Sequence, residues 1–191
     1  DAKKAARVQR ACLPAMITGS EDVALERQLM NMDDGDVVIA APFGKFRCPP
    51  APYERAAMIA EFMEKEEIEG KVIVLVPGAK FAKMGAFKES AKDIYGDRIQ
   101  YIHHAKTHDV DVDAKTITYT QQVDTGKKDE DGDPIMKAEK KTIKYSVCNL
   151  IVNHRSSPLV DIAGLETTAD AFKKVKMAGC TFQTKTDKNV Y

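Results

Sequence analysis

The amino-acid sequence predicts an α/β fold in which a parallel sheet with helices is joined by an antiparallel β-meander. Three observations carry that reading. Val37-Val38-Ile39-Ala40-Ala41 and Lys71-Val72-Ile73-Val74-Leu75-Val76 are short continuous apolar runs, the pattern of strands buried on both faces. Between them, Ala56, Ile59, Ala60 and Met63 recur at helical spacing, with Glu61, Glu64, Lys65 and Glu67 on the opposite face. Further on, Thr116-Ile117-Thr118-Tyr119-Thr120 and Lys141-Thr142-Ile143-Lys144-Tyr145 alternate polar and apolar residues, as the arms of an antiparallel hairpin do.

Taken in order, residues 20–32 are expected to form a helix. Ser20 is the candidate N-cap, Glu21 and Asp22 suit the positive helix end, and Asp33-Asp34-Gly35 stops the helix. A first strand over 37–41, a proline-rich loop over 42–52 and a helix over 53–67 follow. Gly70 then closes the turn into a second strand over 71–76. Strand, helix and strand in this order make a right-handed βαβ unit. A short helix over 87–95, closed by Gly96, leads to a third strand over 98–103. Residues 126–134, rich in charge, glycine and aspartate, separate the hairpin arms and are expected to be a mobile surface loop. The run Cys148-Asn149-Leu150-Ile151-Val152 is the last buried strand. Parallel units, a meander and a return strand form the layout of the NAD-binding type of domain in flavoproteins with two dinucleotide folds. The predicted class is therefore α/β with a Rossmann-like parallel sheet, and one domain over 1–191 is expected.

Lys and Arg total 29 and so do Asp and Glu, so no net field favours nucleic acid or an anionic membrane. No apolar run approaches the roughly 18 residues of a spanning helix, and no membrane insertion is expected. The opening Asp1-Ala2-Lys3-Lys4 suits a processed or excised terminus. Cys12, Cys48, Cys148 and Cys180 are too widely spaced for a zinc site or a Cys-x-x-Cys motif.

The turn after the first strand carries the chemistry. A dinucleotide fold places Gly-x-Gly-x-x-Gly there, so that backbone N–H groups meet the pyrophosphate. Here the turn is Ala41-Pro42-Phe43-Gly44-Lys45-Phe46-Arg47-Cys48-Pro49-Pro50-Ala51-Pro52-Tyr53-Glu54-Arg55, with one glycine and four prolines. Proline has no N–H to offer, so the glycine-rich dinucleotide loop is lacking. The second strand ends on Val76-Pro77-Gly78, without the acidic residue that grips a ribose. Binding of NAD by this chain is not expected. What the loop offers instead is Cys48, beside Arg47 and just before a helix start, both of which stabilise a thiolate. The alternative for Cys48 is a small buried apolar residue. Glu54 stands one and a half turns further on, either as a proton-transfer group or as a first-turn carboxylate complementing the helix dipole.

Arg47-Cys48-Pro49-Pro50-Ala51-Pro52-Tyr53-Glu54-Arg55-Ala56 resembles the signature loop in the flavoprotein subunit of flavocytochrome c sulfide dehydrogenase. The similarity extends through Leu25-Glu26-Arg27-Gln28-Leu29, Met32-Asp33-Asp34-Gly35, Lys80-Phe81-Ala82-Lys83, Phe87-Lys88-Glu89, Asn149-Leu150-Ile151 and Asp161-Ile162-Ala163-Gly164-Leu165. This resemblance implies an excised central domain of an FAD enzyme, with residues 1–35 as a partial lead-in from the FAD domain. It implies oxidation of sulfide in the periplasm, with electrons passed to a c-type cytochrome subunit. The cysteine matching Cys48 would form a redox disulfide beside the flavin with a later cysteine. Sulfide would attack that bridge, leaving a persulfide. The residue matching Glu54 would be a candidate acid/base, and Arg47 a thiolate stabiliser. The FAD motif and the second redox cysteine are not in this sequence, so the isolated chain is expected to bind neither FAD nor NAD and to be inactive alone. Cys12, Cys148 and Cys180 are expected to be structural.

Two other enzyme or module classes fit the pattern: a domain of sulfide:quinone oxidoreductase, which also pairs cysteines with FAD, and a non-catalytic interaction module on a degenerate dinucleotide fold. Asp109, Asp111 and Asp113, and Asp129, Asp131 and Asp133, alternate as in a calcium loop but lack its glycine and terminal glutamate, so solvated turns are expected. His103, His104 and His108 lack a completing ligand and are expected to be exposed strand-end residues, with no metal. Met58, Met63 and Met84 are expected to fill core gaps.

Overall fold

The computed structural model describes residues 1–16, 19–44 and 46–191. Four parallel strands, β1 (Val37–Ala40), β2 (Val72–Leu75), β3 (Ile99–Ile102) and β7 (Val147–Leu150), form a sheet in the order β3-β2-β1-β7. Register is aligned across the three strand pairings: Val37 faces Val72 on one side and Val147 on the other, and Val72 faces Ile99. Side chains alternate across a strand, so each run divides between two cores. Val37, Ile39, Val72 and Val74 enter one core with Ala56, Ile59 and Met63 of α3 (Ala51–Lys65) and Ala91 of α4 (Met84–Tyr95). Val38, Ala40, Ile73 and Leu75 enter the other, against Val110, Ile117 and Tyr119 of a second sheet. The continuous apolar runs thus have a direct cause, since both faces of the parallel sheet are covered.

The second sheet is the meander β4 (Ala105–Asp111), β5 (Thr116–Lys128) and β6 (Pro134–Lys144), paired antiparallel in that order. Its arms are longer than the alternation indicates. β5 continues to Lys128 and β6 starts at Pro134, so the connection between the arms narrows from the expected 126–134 to 129–133. Its tip is organised by Asp129, whose Oδ1 accepts from the N–H groups of Asp131 and Asp133, while the Asp129 N–H donates to the Asp133 carbonyl. Backbone pairing and an aspartate turn supply the order that burial does not.

Several boundaries also move. Gly19, not Ser20, is the N-cap of α2 (Ser20–Met30), and α3 starts two residues before Tyr53. Met63 is fully buried and Met84 half-buried, but Met58 is 72% exposed on the outer face of α3 and fills no core gap. Helix α1 (Ala2–Ala11) has no buried residue. Asp1 caps it by accepting from the Lys3 N–H at 2.9 Å. Ion pairs tie α1 to the meander: Lys4 Nζ lies 2.6 Å from Asp109 Oδ1, and Arg7 makes a two-pronged pair with Asp113. The hydrogen bond from Lys4 holds Asp109 below its ordinary range, and that from Arg7 does the same for Asp113. Both pairs are exposed and therefore screened by salt.

The chain divides into two compact units, Asp1–Phe43 with Cys48–Val152, and Gly44–Arg47 with Asn153–Tyr191. The smaller contains α5 (Pro158–Ile162), capped by the Ser157 hydroxyl, and short bridges between Thr167 and Val175 and between Met177 and Thr184.

Two expectations follow from this packing. Gly70 has φ +132°, and a Cβ there would lie 2.1 Å from the Gly35 carbonyl oxygen. Gly70→Ala should lower stability by about 1–3 kcal/mol in urea unfolding, through strain and the forced separation of the two turns that enter β1 and β2. The lowered carboxylates hold α1 at full strength above their unfolded value of 3.8, and that contribution is lost as the pH falls through the folded values below it. Amide exchange in 2–11 should accordingly rise in 0.5 M salt or below about pH 3.5, while the strands stay protected.

Candidate functional site

The proline-rich turn leaves β1 and enters α3 through Pro50, with a second proline, Pro52, in the first helical turn where a missing N–H is least costly. The other early donors are occupied. The Ala51 N–H donates to the Cys48 carbonyl at 3.1 Å, and the Tyr53 and Glu54 N–H groups donate to the Pro50 carbonyl at 3.0 and 3.1 Å. With Pro50 and Pro52 lacking a donor and these amides already used, the described residues at the start of α3 do not fit the pyrophosphate of a dinucleotide that an FAD or NAD fold would cradle there. In the smaller unit, the Gly44 N–H donates to Asn153 Oδ1 at 2.9 Å and the Arg47 N–H to His154 Nδ1 at 3.0 Å.

Cys48 is a free, exposed cysteine that precedes the helix start. The backbone turn that closes on its carbonyl fixes its position relative to α3. Glu54 is exposed in the first turn of α3, and Arg47 is exposed on the loop. The loop residue Lys45 lies outside the described residues.

Ligands of open α/β sheets bind beyond the carboxyl ends of the strands. Here aromatic rings fill that end above β2 and β3. Tyr53, buried at the start of α3, stacks on Phe81 with centroids 3.6 Å apart. Phe81 in turn meets Tyr101 at 5.2 Å, Phe87 at 6.4 Å and the His103 ring at 6.0 Å. Burial, with Tyr101 nearby, pushes the Tyr53 hydroxyl up to about 12. His103 is not the exposed residue expected: its ring nitrogens are shut off from water, and burial followed by Lys88 pushes its pKa down. His108 Nε2 instead pairs with Thr120 Oγ1 at 2.7 Å. Among the described residues no group of histidines, cysteines and carboxylates is arranged to hold a metal ion.

Behind the turn lies a polar centre that periodicity alone does not reveal. Asn149, fully buried on β7, donates through Nδ2 to the Leu13 and Pro14 carbonyls at 2.6 and 3.0 Å. Its Oδ1 accepts from Arg55 Nη1 at 3.0 Å, and the same guanidinium donates to the carbonyls of Pro14 and Ala15. Burial lowers the pKa of Arg55. Arg55 is the last residue of the Cys-Pro-Pro-Ala-Pro-Tyr-Glu-Arg run, so this centre fixes the helix whose start carries Cys48. A signal for it is present in the sequence: an asparagine within the apolar run of β7 must find partners when buried.

Cys12 and Cys148 are buried, each 1% exposed, whereas Cys180, for which the same structural role is expected, is exposed and lies in neither core. Cys12 Sγ lies 3.5 Å from the Tyr145 hydroxyl.

A family model described as the central part of the flavoprotein chain of sulfide dehydrogenase (flavocytochrome c) matches residues 22–151, more than half of the chain. The chain belongs to this sulfide dehydrogenase flavoprotein family. The match contains the whole turn with Cys48 and Glu54, both partners of the Arg55–Asn149 contact, and all seven strands. Two solved structures are similar to a lesser degree. A chain in the cryo-EM structure of the Tetrahymena thermophila mitochondrial ATP synthase is 17% identical, with a TM-score of 0.50, covering 93% of this chain and 40% of that one. Thioredoxin reductase from Giardia duodenalis is 16% identical, with a TM-score of 0.42, covering 84% of this chain and 44% of that one. The chain thus spans less than half the length of either structure.

The polar centre makes a sharp prediction for this family member. Asn149→Leu removes both carbonyl partners' donor and one acceptor of a buried guanidinium, and should cost about 3–5 kcal/mol in denaturant unfolding. Arg55→Lys should also destabilise, because a single ammonium cannot serve three acceptors in the plane that guanidinium fits.

Proposed function

We propose that the chain is the central domain of a sulfide-oxidising flavoprotein, in which Cys48 carries the sulfur chemistry. The observation that supports this most directly is the free, exposed Cys48 at the head of α3, inside the segment matched by the sulfide dehydrogenase family. In this reading Cys48 is joined by a disulfide to a second cysteine outside this chain. Hydrosulfide attacks the Cys48 sulfur, the disulfide bond breaks, and the partner cysteine leaves as a thiolate. Cys48 is left as a persulfide, whose proton Glu54 is assigned to accept, while Arg47 is assigned to favour the anionic sulfur.

The described residues provide no pyrophosphate cradle, so FAD is assigned to the remainder of the full-length protein, where it supplies electron acceptance. The products are sulfur or polysulfide, the electron acceptor is a c-type cytochrome subunit, and the compartment is the periplasm. Alone, the chain is an inactive part of that oxidoreductase. The fixed position of α3 serves this chemistry, since a shift of about 1 Å at a reacting atom is enough to slow it severely.

The test uses the full-length flavoprotein with its cytochrome. Cys48→Ser should abolish sulfide-dependent cytochrome reduction while the flavin absorbance is retained, because a serine oxygen forms no persulfide. Glu54→Gln should slow turnover by about 10²-fold without that total loss. Full activity in the serine variant would overturn the assignment.

A further inference from the structure

We propose that the carboxyl edge of the parallel sheet is a cationic surface that draws anions to Cys48, and that the reactant it serves is a small sulfur anion, hydrosulfide or a polysulfide, rather than neutral hydrogen sulfide. The surface follows from charge and contact alone, and its reactant rests on the sulfide reading above.

The four strands end in register, Ala40 beside Leu75 and Leu150, and Leu75 beside Ile102, so the segments that leave them start from one edge. Contacts join three of these segments into a closed ring. Tyr53, at the end of the segment after β1, stacks on Phe81 of the segment after β2. Phe81 meets the His103 ring after β3, and the His104 N–H donates to the Gly78 carbonyl at 3.2 Å. From there Lys106 Nζ returns to the first segment, 4.6 Å from the centre of the Phe43 ring. Cys48 is five residues from Phe43 and five from Tyr53, so no more than about 18 Å of chain separates it from either anchor. The turn that closes its carbonyl on the Ala51 N–H holds it at the head of α3.

Charge is sorted onto this edge. Lys80 and Lys83 after β2, Lys88 in α4 and Lys106 after β3 are exposed, and among the described residues none of them has an ion-pair partner. No Asp or Glu occurs from residue 70 to 88 or from 98 to 108. Glu54 and Glu89, in α3 and α4, are the first carboxylates beyond the cations. Both helices start at this edge, and their N-terminal ends add positive partial charge. The opposite edge has the other sign. The lead-ins to β1 and β2 hold Asp33, Asp34, Asp36, Glu66, Glu67 and Glu69 against Lys71. The equal totals of 29 cations and 29 carboxylates therefore hide a separation along the strand direction.

An array of exposed ammonium groups acts on approach rather than on fit. It raises the local concentration of anions and lifts their encounter rate, by roughly 10- to 10³-fold in strong cases. The rings of Tyr53, Phe81 and Tyr101 form an apolar wall on which such a field is focused. Hydrosulfide and polysulfides gain from this field, whereas hydrogen sulfide carries no charge and gains nothing. Salt weakens the effect, since exposed charges are screened within about 10 Å at 0.1 M ionic strength.

The test uses the reduced 191-residue chain with Cys180→Ser, in which the thiols other than Cys48 are buried. The rate of Cys48 modification by a methanethiosulfonate bearing a sulfonate is divided by the rate with one bearing a quaternary ammonium. The thiolate fraction is common to both rates and cancels. At about 0.05 M ionic strength the ratio should exceed that of 2-mercaptoethanol by about tenfold, and it should fall to that reference in about 0.5 M salt. Lys80→Gln, Lys83→Gln and Lys106→Gln together should remove most of the preference. Lys65→Gln, Lys71→Gln and Lys144→Gln make the same change in net charge at the opposite edge and should leave the ratio within about twofold. Circular dichroism checks that each variant is folded, and the ratio of the parent chain with its salt dependence stands without them. In the full-length flavoprotein, the second-order rate of flavin reduction by sulfide should fall several-fold both with salt and in the first triple variant. A ratio no higher than that of 2-mercaptoethanol, or equal losses in the two triple variants, would overturn the cationic edge. A sulfide rate indifferent to salt and to the first triple variant would overturn the anionic reactant. Full activity of Cys48→Ser would strike the sulfide reading and with it the reactant, while the reagent ratio still decides the edge.

Discussion

The carboxamide of Asn149 and the guanidinium of Arg55 form the contact on which the other parts of the larger unit depend. Between them they engage carbonyls of Leu13, Pro14 and Ala15, so the segment leaving α1, the last parallel strand and the helix after β1 meet at one buried point. Removing one partner there leaves the other charged or polar group without solvent or acceptor, which costs more than the contact itself contributes. The apolar cores surround this point on either side of the sheet and hold it dry. The placement of Cys48 at the head of α3 descends from it.

The parallel sheet is covered on both faces. The helical face packs against α3 and α4, with the aromatic rings of Tyr53, Phe81 and Tyr101 closing its upper end. The opposite face packs against the meander and includes the thiols with Tyr145. A dinucleotide-type scaffold is retained, while the features that would bind a dinucleotide are replaced: prolines and internally used amides stand at the turn, and rings stand where a ribose would be gripped. Fold and function are separable in this way because a site is a small set of side chains carried on a much larger frame.

The elements legible in the sequence are those in which burial writes a pattern. β1 and β2 are apolar throughout because both faces are covered, and α3 shows its stripe because only one face is. β4 leaves no such trace: Ala105 and Val110 are its only buried residues, and a register shift between Thr107 and Asp109 breaks the alternation that would join them. α1 is likewise silent, for it buries nothing and is held by charges. The distal hairpin is ordered through its backbone ladder, which composition does not register, so a charged stretch suggests free chain where paired strands stand. At the candidate site, Cys48 and Glu54 are legible as a local motif. The partnership of Arg55 with Asn149, 94 residues later, exists only once the chain has folded.

The long β5–β6 hairpin carries a hazard along with its reach. β6 is the outer strand of its sheet, and a row of open backbone groups along such a strand is a template for pairing with a second chain. Ile135 and Met136 lie exposed near its start, where a sticky edge would be most damaging. Pro134 opens the strand without a donor, and Lys137, Lys140, Lys141 and Lys144 punctuate the rest. An approaching copy would have to align these ammonium groups against its own, a repulsion that rises with every residue paired. The lysines that make this ribbon look disordered in sequence are thus what would oppose the pairing of its extended edge with another chain.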